Sequence, residues 1–155
     1  MDEALDSLAF DDLAFSIDGW LTDSLTTNPS VLAVDRGGPD DCGAGERRWY
    51  ARLGGEEKDF TTVWLTLGQR SLRYETYVLP WPPQKRDEIF ELVLRRNDQL
   101  IGCHYSIGGE DALYLRGELA SSGVTEAELD RIIGTLFVEV ERVFRSLVAL
   151  AFPGH

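Results

Sequence analysis

Three stretches, RRWYARL (47–53), DFTTVWLTL (59–67) and SLRYETYVL (71–79), decide the fold of this chain. In each, apolar and polar side chains alternate, the period of a strand with one buried face. Turns of the GGEEK and GQR type separate them, so three antiparallel strands joined by hairpins are expected.

Working outward, Pro80-Trp81-Pro82-Pro83 stops the third strand and opens a helix from about Gln84 to Asp98. LIGCHYSI (100–107) and ALYLRGEL (112–119) read as two further strands around a Gly108–Asp111 turn. Thr125 and Glu128 form a capping-box pattern, and Leu129 to Leu147 continue at helical spacing until Pro153 closes the element. Upstream, Phe10, Leu13, Ile17, Trp20, Leu21 and Leu25 recur at three- and four-residue steps, which makes 5–27 an amphipathic helix ended by Asn28-Pro29. DRGGPDDCGAGE (35–46) reads as a flexible, glycine-rich loop. The order α-βββ-α-ββ-α implies the α+β class, with a mostly antiparallel five-stranded sheet. A single domain over 1–155 is expected, made of the acidic helix 5–27, the loop 35–46 and a main body 47–152.

The 155 residues are 43% apolar and carry 27 acids against 15 bases, a formal net charge of −12. Such a chain is globular rather than disordered, and its mean field disfavours nucleic acid and anionic membranes as partners. More than half the excess sits in residues 1–36, which hold eight acids and one base. That segment is expected either to keep the chain soluble or to shield a basic face until a partner displaces it. The acidic start lacks the basic and apolar regions of a signal peptide, and no apolar run is long enough to span a bilayer. A cytoplasmic protein with Cys42 and Cys103 reduced is the expectation.

Catalytic signatures fail on spacing. Cys103 and His104 are neighbours in a predicted strand, so their side chains point to opposite faces and cannot pair. His155 is terminal, and two thiols 61 residues apart do not make a zinc site. The glycine loop lacks the Gly-Lys-Ser/Thr ending of a phosphate loop and carries Asp40 and Asp41. Glu56-Glu57 and Asp40-Asp41 lie in turns, where solvation accounts for them. Arg95-Arg96 closes the second helix, opposes the negative end of its dipole and needs no partner. No catalytic residue, metal or cofactor is expected, and the chain is read as a non-enzyme.

The sheet is more informative. If Trp49, Val63, Leu65, Leu72, Tyr74 and Leu115 face the helices, then Tyr50, Arg52, Trp64, Arg73, Tyr114 and Arg116 share the opposite face. Arginine mixed with aromatic rings is the composition of protein interfaces. These six are the candidate partner-binding residues; a single-strand stacking platform is the weaker reading of the same set.

From Trp64 to Phe152 the chain resembles the bacterial YbjN-domain family, labelled sensory transduction regulators. The resemblance rests on the apolar strands ending at Pro80, the run Leu94-Arg95-Arg96-Asn97, the Gly102–Ile107 strand, Tyr114-Leu115-Arg116-Gly117-Glu118-Leu119 and the Thr125-x-x-Glu128-Leu129 helix start. It implies a fold similar to type III secretion chaperones, which bind a partner polypeptide without catalysis and are commonly dimers. The expected function is a non-catalytic protein-binding module, chaperone-like or a regulatory adaptor. The expected partner is another protein, with a homodimer as a further expectation. A small-ligand or signal sensor with a pocket between sheet and helices is the alternative, and single-stranded nucleic-acid binding comes third.

Overall fold

The alternating segments pair as their turns require. The computed structural model describes residues 4–154, so Asp2, Glu3 and His155 lie outside the described residues. In chain order the elements are α1 (Ser7–Thr27), β1 (Val31–Arg36), β2 (Arg47–Gly54), β3 (Phe60–Leu67), β4 (Ser71–Leu79), α2 (Arg86–Asn97), β5 (His104–Ile107), β6 (Leu113–Ala120) and α3 (Glu126–Ala151). The strands form one antiparallel sheet in the order β1-β2-β3-β4-β6-β5. β4-α2-β5 leaves one strand's width open, and β6 returns through the Gly108–Asp111 turn to fill it.

The class and the hairpins match expectation, but the sheet has six strands rather than five. The additional one, β1, lies between the helix stop at Asn28-Pro29 and the glycine cluster. A bulge between Val31 and Ala33 breaks its alternation, so no period-2 signal survives in the sequence.

All three helices pack on one face of the sheet. Trp49, Ala51 and Leu53 of β2, Val63 and Leu65 of β3, and Leu72 and Tyr74 of β4 are buried with Leu129, Ile132, Leu136, Val140 and Leu147 of α3. The space between sheet and helices is thus filled by core side chains, where the sensor reading had placed a pocket. α3 starts as its sequence specifies, with the Thr125 hydroxyl accepting from the Glu128 amide. Glu128 itself turns to Arg131 rather than back to the cap.

α1 buries Phe10, Ala14, Ile17, Leu21 and Ser24, whereas Leu25 is exposed. The stripe thus runs through the small Ala14 and Ser24, allowing close packing against the sheet. α1 therefore joins the helical layer, and the shielding role expected for its acids is corrected. They lie on the far side of the sheet from the arginine face.

One of those acids docks the helix. Asp18 accepts from the Arg36 guanidinium and, at 2.6 Å, from Trp49 Nε1. Burial pushes its carboxyl up, but the Arg36 and Trp49 hydrogen bonds and the nearby arginine charges outweigh this and hold it below the usual 3.8. A depressed folded-state value means stability present at neutral pH and lost as the pH falls below 3.8. Asp18→Asn is expected to cost about 1 kcal/mol at neutral pH. Denaturant midpoints measured at neutral pH and in acid should show the gap between variant and wild type narrowing in acid.

Candidate functional site

The opposite face of the sheet carries no helix among the described residues. Cross-strand register aligns one row across all six strands: Asp35, Tyr50, Trp64, Glu75, Arg116 and His104. On one side of this row lie Arg48, Thr66, Arg73 and Glu118; on the other, Arg52 faces Thr62 and Tyr77 faces Tyr114. Strand alternation places all of these side chains on one face.

The rings and cations are stacked rather than scattered. Tyr50 and Trp64 lie 5.3 Å apart between ring centroids, and Tyr77 meets Tyr114 edge-on at 5.7 Å. Arg48 stacks over Trp64 at 4.4 Å, Arg52 over Phe60 at 4.1 Å and Arg116 over Tyr114 at 4.6 Å. Such pairs hold long side chains flat and pre-ordered, which lowers the entropy lost on binding. Glu75 accepts from both Arg48 (3.3 Å) and Arg116 (2.6 Å), so one carboxylate is shared by two guanidinium groups. Burial, a hydrogen bond to Glu110 and the Glu110 and Glu75 charges outweigh the Arg116 charge and push the Tyr114 phenol up to about 12, so it stays a neutral donor.

The six candidate residues therefore share one face. Tyr50, Trp64 and Arg116 lie in a single row, with Arg52 and Tyr114 on one side of it and Arg73 on the other. Two further groups order this face, Arg48 and Glu75: strand alternation alone turns them outward, but their roles as stacking cation and shared anion come from contacts across strands.

The Gly37–Glu46 connection is not the flexible linker its composition suggested. Pro39–Asp41 forms a 3-10 turn, and Glu46 reaches back to the Gly43 amide at 2.9 Å. The loop then folds onto one end of the outer face. Arg48 Nη1 donates to the Asp41 carbonyl at 2.9 Å, and Arg73 Nη2 donates to Glu46 Oε2 at 2.7 Å. Glycine content reports local freedom; the contacts to Arg48 on the following strand and to Arg73, 27 residues beyond Glu46, remove it. Between loop and sheet runs an open groove of about 610 Å3, lined by Asp41 and Glu46 of the loop and by Arg48, Arg73, Glu75, Arg116 and Glu118 of the sheet.

The remaining sequence candidates resolve as structure. Cys103 is buried and His104 exposed. Burial, with a smaller contribution from Glu139, pushes the Cys103 thiol up, away from nucleophilic use. Arg96, expected to need no partner, forms a two-pronged ion pair with Glu139 of α3, and Tyr105 donates to the same carboxylate. Asn97 closes on the Tyr105 backbone at 2.7 Å. Glu56 and Glu57 offer their backbone amides, with that of Lys58, to the Glu141 carboxylate. Among the described residues no group of three or more His, Cys, Asp or Glu could hold a metal ion, and no helix is long and apolar enough to cross a membrane.

Residues 32–149 match the profile of the family "YbjN: Putative bacterial sensory transduction regulator". An uncharacterized protein of Mycobacterium tuberculosis is 34% identical over 100 residues, covering 64% of this chain and 55% of its own length. One from Mycobacterium leprae is 29% identical over 105 residues, covering 68% and 57%. The chain thus spans a little over half the length of the curated relatives it matches. Among solved structures, the ExsC–ExsE complex is similar with a TM-score of 0.49 at 18% identity, covering 63% of this chain and 75% of that one. The ExoU–SpcU heterodimer of the Pseudomonas aeruginosa type III secretion system is similar with a TM-score of 0.49 at 18% identity, covering 88% and 98%.

Proposed function

The chain belongs to the YbjN family, and we propose that it works as a non-catalytic protein-binding module, chaperone-like or a regulatory adaptor. Its docking surface is the helix-free sheet face bearing Tyr50, Arg52, Trp64, Arg73, Tyr114 and Arg116. One observation carries this reading. A face holding stacked aromatic–arginine pairs in register lies open, while all three helices pack on the other side. Aromatic and arginine side chains supply most of the energy at protein interfaces.

Replacing Tyr50, Trp64 and Arg116 together by Ala tests the surface. These side chains are half-buried, Tyr50 against Trp64 and Arg116 on Glu75, so the triple variant is expected to melt below wild type while keeping its fold, which circular dichroism checks. Proteins retained on immobilised wild type are expected to be lost from the variant by about tenfold or more, the scale of a few interface hot spots. Equal retention by both would overturn the reading. Light scattering of the purified chain separates a second copy from a foreign protein as occupant: a doubled mass that the triple variant halves assigns the face to self-association.

A further inference from the structure

The arginines of the outer face are unequally neutralised. Arg48 and Arg116 share the sheet's own Glu75, and Arg52 lies over Phe60. The ion pair of Arg73 is made by a residue outside the sheet, Glu46, in the last position of the Gly37–Glu46 connection. From the same connection the Asp41 carbonyl takes the Arg48 guanidinium. A short acidic stretch of this chain thus sits where a carboxylate-bearing segment from elsewhere would sit, with one carboxylate and one carbonyl on two arginines. On the sheet side of the groove Arg48, Arg73 and Arg116 outnumber Glu75 and Glu118, and the acids of α1 do not oppose such a segment strongly. They lie behind the sheet, and the screening length is about 8 Å at physiological salt.

We infer that the groove between the Gly37–Glu46 loop and the sheet takes a carboxylate-bearing, extended segment of a partner protein, and that the loop is its internal competitor. This rests on the reading of the outer face as a docking surface. The partner's carboxylate exchanges with that of Glu46 on Arg73, which releases the Glu46 end of the loop while Asp41 keeps its hold on Arg48. Arg73 and Glu46 are held by an ion pair at 2.7 Å, with the Arg73 side chain more than half exposed. Glu46 is a quarter exposed, so the pair is open to solvent on its arginine side and exchanges more readily than a fully buried one. The aromatic row beside it, Tyr50 and Trp64, offers flat surface to residues flanking the acid.

The test uses the full chain and two fluorescein-labelled decapeptides, (Glu-Tyr)5 and (Lys-Tyr)5, with binding read by anisotropy at physiological ionic strength, where the net charge of −12 is screened beyond about 8 Å. Alternation puts the charges on one side of an extended segment. Wild type is expected to bind the glutamate peptide and not the lysine one. Glu46→Gln keeps an acceptor for the Gly43 amide but frees Arg73, and should tighten binding about two- to fivefold, the range of an exposed ion pair. Arg73→Gln should abolish that gain when combined with Glu46→Gln. Unchanged or weaker binding by Glu46→Gln, no binding of the glutamate peptide to that variant, or equal binding of the lysine peptide would each overturn the inference. If Glu46→Gln has no effect while the Tyr50, Trp64 and Arg116 triple variant still loses its retained proteins, the docking surface stands and the competing loop falls. If the triple variant also retains them, both fall.

Discussion

Gly117→Ala is expected to lower the stability of this protein by about 3 kcal/mol, the upper end for forced overpacking of a core. Gly117 of β6 lies directly across from Tyr74 of β4. The Tyr74 ring crosses over it, so that its hydroxyl donates to the Gly102 carbonyl at 2.6 Å. A Cβ at position 117 would stand 2.7 Å from the Tyr74 ring and inside contact distance of the Gly102 carbonyl oxygen. Neither neighbour yields easily. Tyr74 is buried in the core, and Gly102 is backbone at a positive φ of 79°. For a chain of this size the loss corresponds to a melting temperature lower by roughly 6 to 12 °C. Tyr74→Phe removes only the hydroxyl and should cost about 1 kcal/mol. A Gly117→Ala variant melting within about 2 °C of wild type would show that the approach is not tight.

Arg96→Met should cost a comparable amount, about 3 kcal/mol, because it strands a buried carboxylate. Glu139 is 3% exposed in the middle of α3. It is held by Arg96 Nε at 3.0 Å, Arg96 Nη2 at 2.7 Å and the Tyr105 hydroxyl at 2.8 Å. These three side chains tie α2, α3 and the edge strand β5 together. Arg96 is itself a quarter exposed, which sets the expectation at the low end of the range for broken buried pairs. Replacing both charges, as Arg96→Met with Glu139→Leu, should recover most of the loss. Adding Tyr105→Phe should recover more, since the phenol otherwise keeps a buried donor without an acceptor. Guanidinium denaturation of the single, double and triple variants at neutral pH measures the coupling. Equal losses in single and double variants would mean that the site is held by packing alone.

These two sites lie beyond what local sequence encodes. The Leu94-Arg95-Arg96-Asn97 run and the Tyr114–Leu119 strand were visible as the pieces carrying the family resemblance, yet neither the reason for Arg96 nor that for Gly117 was. Arg96 answers to a glutamate 43 positions later, and Gly117 to a ring 43 positions earlier. Local spacing holds no trace of either. β1 escaped notice for a different reason, a bulge that spoils alternation at its second residue. The six residues of the candidate face were legible as a set because strand alternation sorts side chains by parity, and parity survives without knowing which strands are neighbours.

By itself, then, the sequence determined the α+β class, the hairpins, the starts of the helices and which side chains share a face, because each follows from a short-range period or a cap. Tertiary structure alone decided three things: that α1 and its acids join the helical layer, that the glycine-rich loop is anchored on Arg48 and Arg73, and that among the described residues no helix covers the arginine–aromatic face. Each depends on which apolar stripe is buried against which side of the sheet. That choice minimises exposed apolar area over the whole chain, and no window of sequence contains it.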